Sequence, residues 1–282
     1  MNKTPFSIAM SVYHKDNAAY FDRALQSITE FQTVMPTEIV LVCDGPLNSD
    51  LDAVINAYQE RYRIFNIIRL PQNKGLGNAL KIAVENASND LIARMDSDDI
   101  AIRDRMERQL DAAGAHSADI VSGTVREFHG EYVSTEEVEN SGTLGASRVL
   151  PAGQEDILKF AKKRSPFNHP AVMYKKSAVI EAGLYEDYRY FEDYNLWVNM
   201  LKAGCRGYNT EAPLVYMRAG SEMYRRRGGM TYVKCIYRFK RHLYKIGFIS
   251  FGQFVADVTA RSVVSLIPNG LRKFLYSKVL RK

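Results

Sequence analysis

Four short apolar runs at residues 6–13, 38–43, 65–70 and 91–95, rich in Ile, Val and Leu, alternate with segments of helical period. Phe21, Leu25, Ile28 and Phe31 recur at helical spacing after the first run. Leu51, Val54, Ile55, Tyr58 and Tyr62 do so after the second, with Ser49 a candidate cap. A third helix is expected from near Gly75, carrying Leu76, Leu80, Ala83 and Val84. Strands that are apolar throughout have two faces to bury, so strand–helix–strand repetition argues for a parallel sheet covered on both sides. Ligands of such sheets lie beyond the carboxyl ends of the strands. Those ends carry Ser11–Tyr13, Asp44–Gly45 and Asp96–Asp99.

The second half is less regular. Residues 119–126 read as a strand, and 131–153 as a polar, Gly- and Ser-rich loop or insert. Residues 171–174 and 214–217 read as strands, with a helix over 191–203 between them. Beyond Gly229 the pattern is helical to the end, broken at Gly247 and at Pro268–Gly270. No internal repeat or low-complexity tract is evident.

With 46% apolar and 25% charged residues in 282, the chain can bury a core, which excludes disorder and collagen-like repetition. Its net charge of +6 is unevenly placed. From Arg218 to Lys282 there are 15 basic and 2 acidic residues, a net of +13, whereas residues 1–217 carry −7. Cys43, Cys205 and Cys235 are odd in number and far apart, which fits a reducing compartment and neither a disulfide framework nor a metal spacing. The apolar amino-terminal run is short for a signal peptide. The longest apolar stretch, 246–268, is interrupted by Gln253, Asp257 and Arg261 and is a poor membrane span. A soluble or membrane-surface protein is expected.

Asp96-Ser97-Asp98-Asp99 is the sharpest local signal. Three carboxylates within four residues repel one another unless something positive sits among them, and a hard divalent cation shared with phosphate is the usual remedy. A helix N-terminus, which favours acidic residues, is the alternative. Further polar pieces lie at other strand ends and helix starts: Ser11-Val12-Tyr13, Asp44-Gly45, Asn73-Lys74-Gly75-Leu76-Gly77, and Glu192-Asp193 followed by Leu196-Trp197. Each has a second reading. Asp193 is a proton acceptor or a helix cap, and Lys74 a phosphate contact or a solvated lysine. His169 has the character of a satisfied structural histidine, and Trp197, at helical spacing with Leu196 and Met200, that of a core residue. Asn73 and its glycines shape the turn.

This ordered set, together with Asn168-His169-Pro170 and the Tyr224–Gly229 segment with its Arg run, resembles the family 2 nucleotide-sugar glycosyltransferases. It is most similar to their bacterial branch that builds exopolysaccharide, capsule or O-antigen units, as the amylovoran-type enzymes do. The resemblance covers residues 6–218. It implies an α/β, A-type glycosyltransferase fold, Rossmann-like with a mostly parallel sheet flanked by helices, followed by a basic helical extension. The catalytic domain would span 1–220, and residues 221–282 would form the tail. The resemblance also implies roles for single residues. Asp96 and Asp98 match the family's DxD, with Asp96 at the nucleotide ribose, Asp98 as the metal ligand for manganese or magnesium, and Asp99 in support. Asp44 matches the aspartate that reads the uracil edge, although Cys43 stands where the family often has a first aspartate. Ser11, Tyr13 and Lys74 would border the nucleotide-sugar. Asp193 matches the catalytic base, and single displacement inverts the anomeric configuration. Glu192, His169 and Trp197 are candidates for the donor or acceptor site; against its structural reading His169 would border the acceptor or metal, and against its core reading Trp197 would stack on a sugar. The Gln-x-x-Arg-Trp motif of processive members is absent, which favours transfer of one sugar per cycle.

Arg225-Arg226-Arg227, Lys234, Arg238, Lys240, Arg241 and Lys245 are interleaved with Tyr224, Tyr232, Tyr237, Phe239 and Tyr244, and an apolar stripe of Phe248, Phe251, Val255 and Val258 follows. This composition suits an anionic membrane surface, where the resembled branch meets a lipid-diphosphate-linked saccharide acceptor. The alternative is a set of helices packed on the body. A cytoplasmic enzyme, peripheral on the inner face of the bacterial inner membrane, is expected. The competing readings are a catalytically inactive nucleotide-binding relative and a nucleic-acid-binding protein using the basic tail. The acidic body and the lack of a recognition motif speak against nucleic acid.

Overall fold

The computed structural model describes residues 4–132, 135–219 and 229–267. The expected alternation opens the chain: β1 (Phe6–Val12), α1 (Ala18–Ile28), β2 (Glu38–Cys43), α2 (Ser49–Arg61), β3 (Phe65–Arg69), α3 (Leu76–Asn86) and β4 (Leu91–Met95). These strands are parallel neighbours in the order β3-β2-β1-β4. Side chains alternate across the sheet. Ile8, Met10, Ile39 and Leu41 pack with Phe21, Leu25 and Ile55 of α1 and α2, whereas Ala9, Val40 and Val42 pack with Leu80 and Val84 of α3. The cap of α2 is Asn48, one residue before the expected Ser49; its Oδ1 accepts from the Leu51 amide at 3.0 Å, and Ser49 is already helical.

The chain continues with β5 (Ile100–Ala101), α4 (Arg105–Ala115), β6 (Ile120–Phe128), α5 (Thr135–Asn140), β7 (Leu144–Arg148) and α6 (Gln154–Ala161). A 3-10 turn (His169–Ala171), β8 (Met173–Lys175), α7 (Lys176–Glu181), α8 (Glu192–Lys202) and β9 (Gly207–Arg218) follow. Here the sheet turns mixed. β8 is antiparallel to both β4 and β6, β9 is parallel to β6, and the short β5 is antiparallel to β9. The expected loop at 131–153 instead carries α5 and β7. Val138 of α5 is buried with Ile100, Phe128 and Tyr216, and β7 pairs with β6 through its backbone. Most side chains of β7 are exposed, so it lacks the apolar pattern that marks a strand in sequence. The strand expected at 171–174 begins two residues later because His169–Ala171 forms the turn.

α9 (Gly229–Lys245) and α10 (Phe251–Leu266) form the described part of the basic tail, separated at Gly247 as expected (φ 71°). The expected break at Pro268–Gly270 and the Arg225–Arg227 run lie outside the described residues. α9 lays Tyr232, Ile236, Phe239 and Leu243 on Phe191, Tyr194 and Val198, and Phe191 and Phe239 stack at 4.8 Å. Phe254 and Val258 of α10 also join this cluster. The expected apolar stripe is therefore divided: Phe248 and Val258 pack inward, whereas Phe251 and Val255 are exposed. The two helices are tied by Lys240, 1% exposed, whose Nζ lies 2.5 Å from Asp257 Oδ2. Burial lowers the Lys240 pKa to about 8, against the pull of Asp257. Removing one member of such a pair strands the other charge. Asp257→Ala should lower the unfolding free energy by about 3 kcal/mol at pH 7. The loss should shrink at pH 9.5, where Lys240 is mostly neutral in the wild-type fold; urea titrations at the two pH values measure both.

Candidate active site

The site forms where β1, β2 and β4 end. Arg94 is an arginine inside an otherwise apolar strand, 2% exposed. Residues i and i+2 of a strand share a face, so its guanidinium forks onto both carboxylate oxygens of Asp96. Burial works against that charge, and the Asp96 carboxylate nonetheless holds the Arg94 pKa above its ordinary value. Behind it, Arg105 of α4, fully buried, donates from Nη2 to the Arg94 carbonyl at 2.6 Å and from Nε to Gln109 at 2.9 Å.

Among the described residues, no cation stands so close to the other carboxylates of the cluster. Burial raises the Asp98 pKa to about 6, with further contributions from Asp96 and Asp16. Asp99, 2% exposed, is raised well above the carboxylate range by burial and then by Asp98 and Asp96. Its Oδ1 accepts from the Arg218 amide at 2.9 Å, and its Oδ2 has no hydrogen-bond partner among the described residues. Asp16 is raised mainly by burial; its Oδ2 accepts from Ser97 Oγ at 2.8 Å and from the Tyr13 amide at 3.1 Å. This ties the half-buried Ser11–Tyr13 turn to the DxDD loop. Arg218, at the end of β9, donates from Nε to the Asp98 carbonyl at 3.0 Å, and its guanidinium lies 3.7 Å from the centre of the Tyr20 ring.

Asp44 is buried, and both of its oxygens are engaged. Oδ1 accepts from the Lys74 amide at 2.7 Å and Oδ2 from the Gly75 amide at 2.9 Å, so this carboxylate builds the Asn73–Gly75 turn. Asn73 returns a side-chain bond to the Asp44 carbonyl at 3.2 Å. Gly45 has φ 93°, and a Cβ there would stand 2.8 Å from the Asn73 nitrogen, so only glycine fits. The Lys74 side chain is exposed.

The turn delivers α3 to α8: a Cβ on Gly77 would lie 3.4 Å from the Glu192 Cβ. The N-cap of α8 is Phe191, so Asp193 sits in the first helical turn and not at the cap position. Burial raises the Glu192 pKa to about 7, followed by the Asp193 charge, with Arg94 opposing. Arg94 therefore acts on Asp96 and on Glu192, and one guanidinium field joins motifs almost a hundred residues apart. Beneath them, His169 Nε2 lies 3.0 Å from the Tyr185 hydroxyl, which lies 3.5 Å from that of Tyr174. Burial drives the His169 pKa well down, so the ring is neutral at pH 7. Of its two readings, His169 thus has the partner that the structural one requires.

For Trp197 the structure decides for the core. It is 0% exposed, edge-on to Phe167 and His169 and tilted against Tyr174, with no face left for a sugar. Asp16, Arg94, Tyr185 and Arg218 were not foreseen as site residues. Arg94 alone had a legible signal, a charge in the middle of a strand pattern that buries everything else.

The family model "Glycosyl transferase family 2" matches residues 7–189. The UDP-Gal:alpha-D-GlcNAc-diphosphoundecaprenol beta-1,3-galactosyltransferase of Escherichia coli is 37% identical over 98% of this chain and 97% of its own. The amylovoran biosynthesis glycosyltransferase AmsE of Erwinia amylovora is 34% identical over 97% and 98%. Among solved structures, the mannosyltransferase PcManGT from Pyrobaculum calidifontis, in complex with GDP-Man and Mn2+, superposes with a TM-score of 0.63 at 14% identity. That match covers 96% of this chain and 72% of the other. The fold is the A-type expected from the sequence.

Glu192 yields a signed prediction. Its folded pKa of about 7 exceeds the unfolded value of about 4.3, so between these values the folded state holds a proton that the unfolded chain has lost. Stability should fall as pH rises through that window, and the full penalty remains above it. Glu192→Gln should therefore be more stable than wild type by roughly 1–3 kcal/mol at pH 8 and equal to it near pH 4. Urea unfolding at both pH values tests this, and a gap independent of pH would assign the effect to packing.

Proposed function

The chain belongs to glycosyl transferase family 2, and we propose that it transfers one sugar per cycle from a UDP-sugar to a hydroxyl of a lipid-diphosphate-linked saccharide, with inversion, in bacterial surface polysaccharide synthesis. The carrying observation is that Arg94 forks Asp96 of the DxDD, while the turn held by Asp44 at the end of β2 leads α3 onto Glu192 in the first turn of α8, which also feels the Arg94 charge. The Escherichia coli relative, similar over nearly its whole length, has a name that joins a UDP donor to a diphosphoundecaprenol acceptor, and this supports the donor and acceptor classes.

In this reading the nucleotide lies along Ser11, Tyr13 and the Asn73–Gly75 turn that Asp44 holds, with Asp44 at the base and Asp96 at the ribose. Asp193 takes the proton from the acceptor hydroxyl as its oxygen attacks the anomeric carbon, while the nucleoside diphosphate leaves from the opposite face. Glu192 and His169 border the sugars. His169, neutral and bonded to Tyr185, orients and does not ionise.

A divalent cation fits this donor set. Among the described residues no three side chains converge as a complete ligand set. A Mg2+-type ion needs only one or two carboxylates when substrate phosphates complete its shell, and Asp98 with its neighbours is a cluster of underneutralised oxygens. Asp98 would hold manganese or magnesium, with Asp99 in support, and the bound ion would neutralise the departing diphosphate.

Residues 1–220 would then be the catalytic part and 221–282 the part that docks on the anionic inner face of the cytoplasmic membrane. No described helix is long and apolar enough to cross a bilayer. Because α9 covers α8, deleting it would uncover the core, so surface substitutions and not truncation are the means of testing docking.

Asp193→Asn should lower kcat by about 10²–10⁴-fold and leave the UDP affinity unchanged, as steady-state kinetics and calorimetry would report. A loss of UDP affinity or of fold instead would place the base elsewhere. Asp98→Ala should abolish the gain in UDP affinity that manganese gives over chelator; an unchanged gain would remove Asp98 from the metal site.

A further inference from the structure

We propose that a cationic cleft on α9, lined by Tyr188, Tyr237, Arg238, Arg241, His242 and Lys245, binds a phosphate group presented by the headgroup of an anionic phospholipid. The inference rests on the membrane-docking reading above and assigns it a defined site. The cleft has a volume of about 390 Å³, within the range of small-molecule sites, and lies apart from the DxDD cluster.

Arg238, Arg241 and Lys245 share one face of α9, at spacings of three and four residues that set side chains side by side. Like charges so placed destabilise a helix unless an anion stands between them. No ion pair joins any of the three to a carboxylate among the described residues; Arg238 instead lies over the Tyr188 ring, 5.3 Å from its centre. The nearby acid, Glu186, accepts through Oε2 from Asn195 Nδ2 at 2.6 Å, and its charge also acts on His242. His242 adds an independent sign. Its ring is tilted on Tyr188 at 5.0 Å, and its buried Nε2 has no hydrogen-bond partner among the described residues. A buried polar atom without a partner is destabilising; the ring is only partly buried, and a rotation that turns Nε2 toward the cleft lets a phosphate oxygen supply one. Three cations, an imidazole and a tyrosine rim offer donors to the two unesterified oxygens of a phosphodiester headgroup.

The neighbouring surface selects a lipid as the carrier of that phosphate. Tyr237, bordering the cleft, contacts Phe254, and Tyr244 and Phe251 pack on the same ring. Tyr237, Tyr244, Phe251 and Val255 are 50%, 43%, 61% and 43% exposed. An aromatic and aliphatic ridge beside a cationic cleft offers acyl chains and headgroup their own surfaces. Free inorganic phosphate would use the cleft alone.

The test uses the full chain and vesicles of phosphatidylcholine with or without phosphatidylglycerol. Arg238→Gln, Arg241→Gln and Lys245→Gln combined should weaken binding to the phosphatidylglycerol vesicles roughly 100-fold. An equal charge loss outside the cleft, Lys162→Gln, Lys163→Gln and Lys234→Gln combined, should weaken it tenfold or less. Short-chain phosphatidylglycerol should also shift the His242 ring resonances of the wild type, which non-specific charge attraction would leave in place. Equal losses in the two triple variants, with unmoved His242 resonances, would overturn the cleft and leave membrane docking standing. Failure of the wild type to bind phosphatidylglycerol vesicles would overturn both. His242 shifts with inorganic phosphate but none with the lipid would make the ligand free phosphate and overturn the lipid assignment.

Discussion

A guanidinium inside a sheet strand has to be paired where it stands, and Arg94, 2% exposed, meets Asp96 with both arms of its fork. Dehydrating such a pair costs several kcal/mol per ion before their attraction is counted. The geometry is therefore held from behind. The Arg94 carbonyl takes the Arg105 guanidinium, Arg105 takes Gln109, and Gln109 reaches the carbonyls of Val121 and Ala171. Through these bonds the end of β4, helix α4, strand β6 and the turn bearing His169 are fixed relative to one another. The parallel half of the sheet and its mixed half meet at this network.

Among the described residues the same network leaves negative charge in excess. Asp16, Asp98 and Asp99 are all raised by burial, and among the described residues the Arg218 amide alone bonds an Asp99 oxygen. Such crowding opposes folding at neutral pH, in the direction that functional sites often do. Any cation that enters stabilises the fold by relieving it. Asp44 shows the opposite arrangement: a buried carboxylate with both oxygens satisfied, which shapes a turn.

The basic tail has two characters at once. Its inward face completes the core over α8, with Phe239 against Phe191, so the helix that carries Asp193 is braced by residues far beyond the family match at 7–189. Its outward face keeps cations and aromatic rings in solvent. That division follows from helix geometry, which sends Ile236, Phe239 and Leu243 to one side and Arg238, Arg241 and Lys245 to the other.

The four parallel strands, their three helices and the strand-end position of the DxDD were legible in the chain because each is written in local periodicity. The Glu192-Asp193 helix start was legible for the same reason. Strand β7 was not, because it is held by backbone pairing and leaves its side chains exposed. The cap at Asn48 in place of Ser49 turned on which residue first takes helical dihedrals, a choice open to either side chain. Trp197 has the helical spacing of a core residue, and only its neighbours Phe167, His169 and Tyr174 removed the sugar-stacking alternative. Local sequence thus determined the parallel part of the sheet and the polar residues at its strand ends, since period and apolarity act over a few residues. Which charges face one another was decided by the tertiary structure. The Arg94 charge acts on Glu192 and the Arg218 amide bonds Asp99 across about a hundred residues, and a Coulomb interaction depends on distance in space and not along the chain.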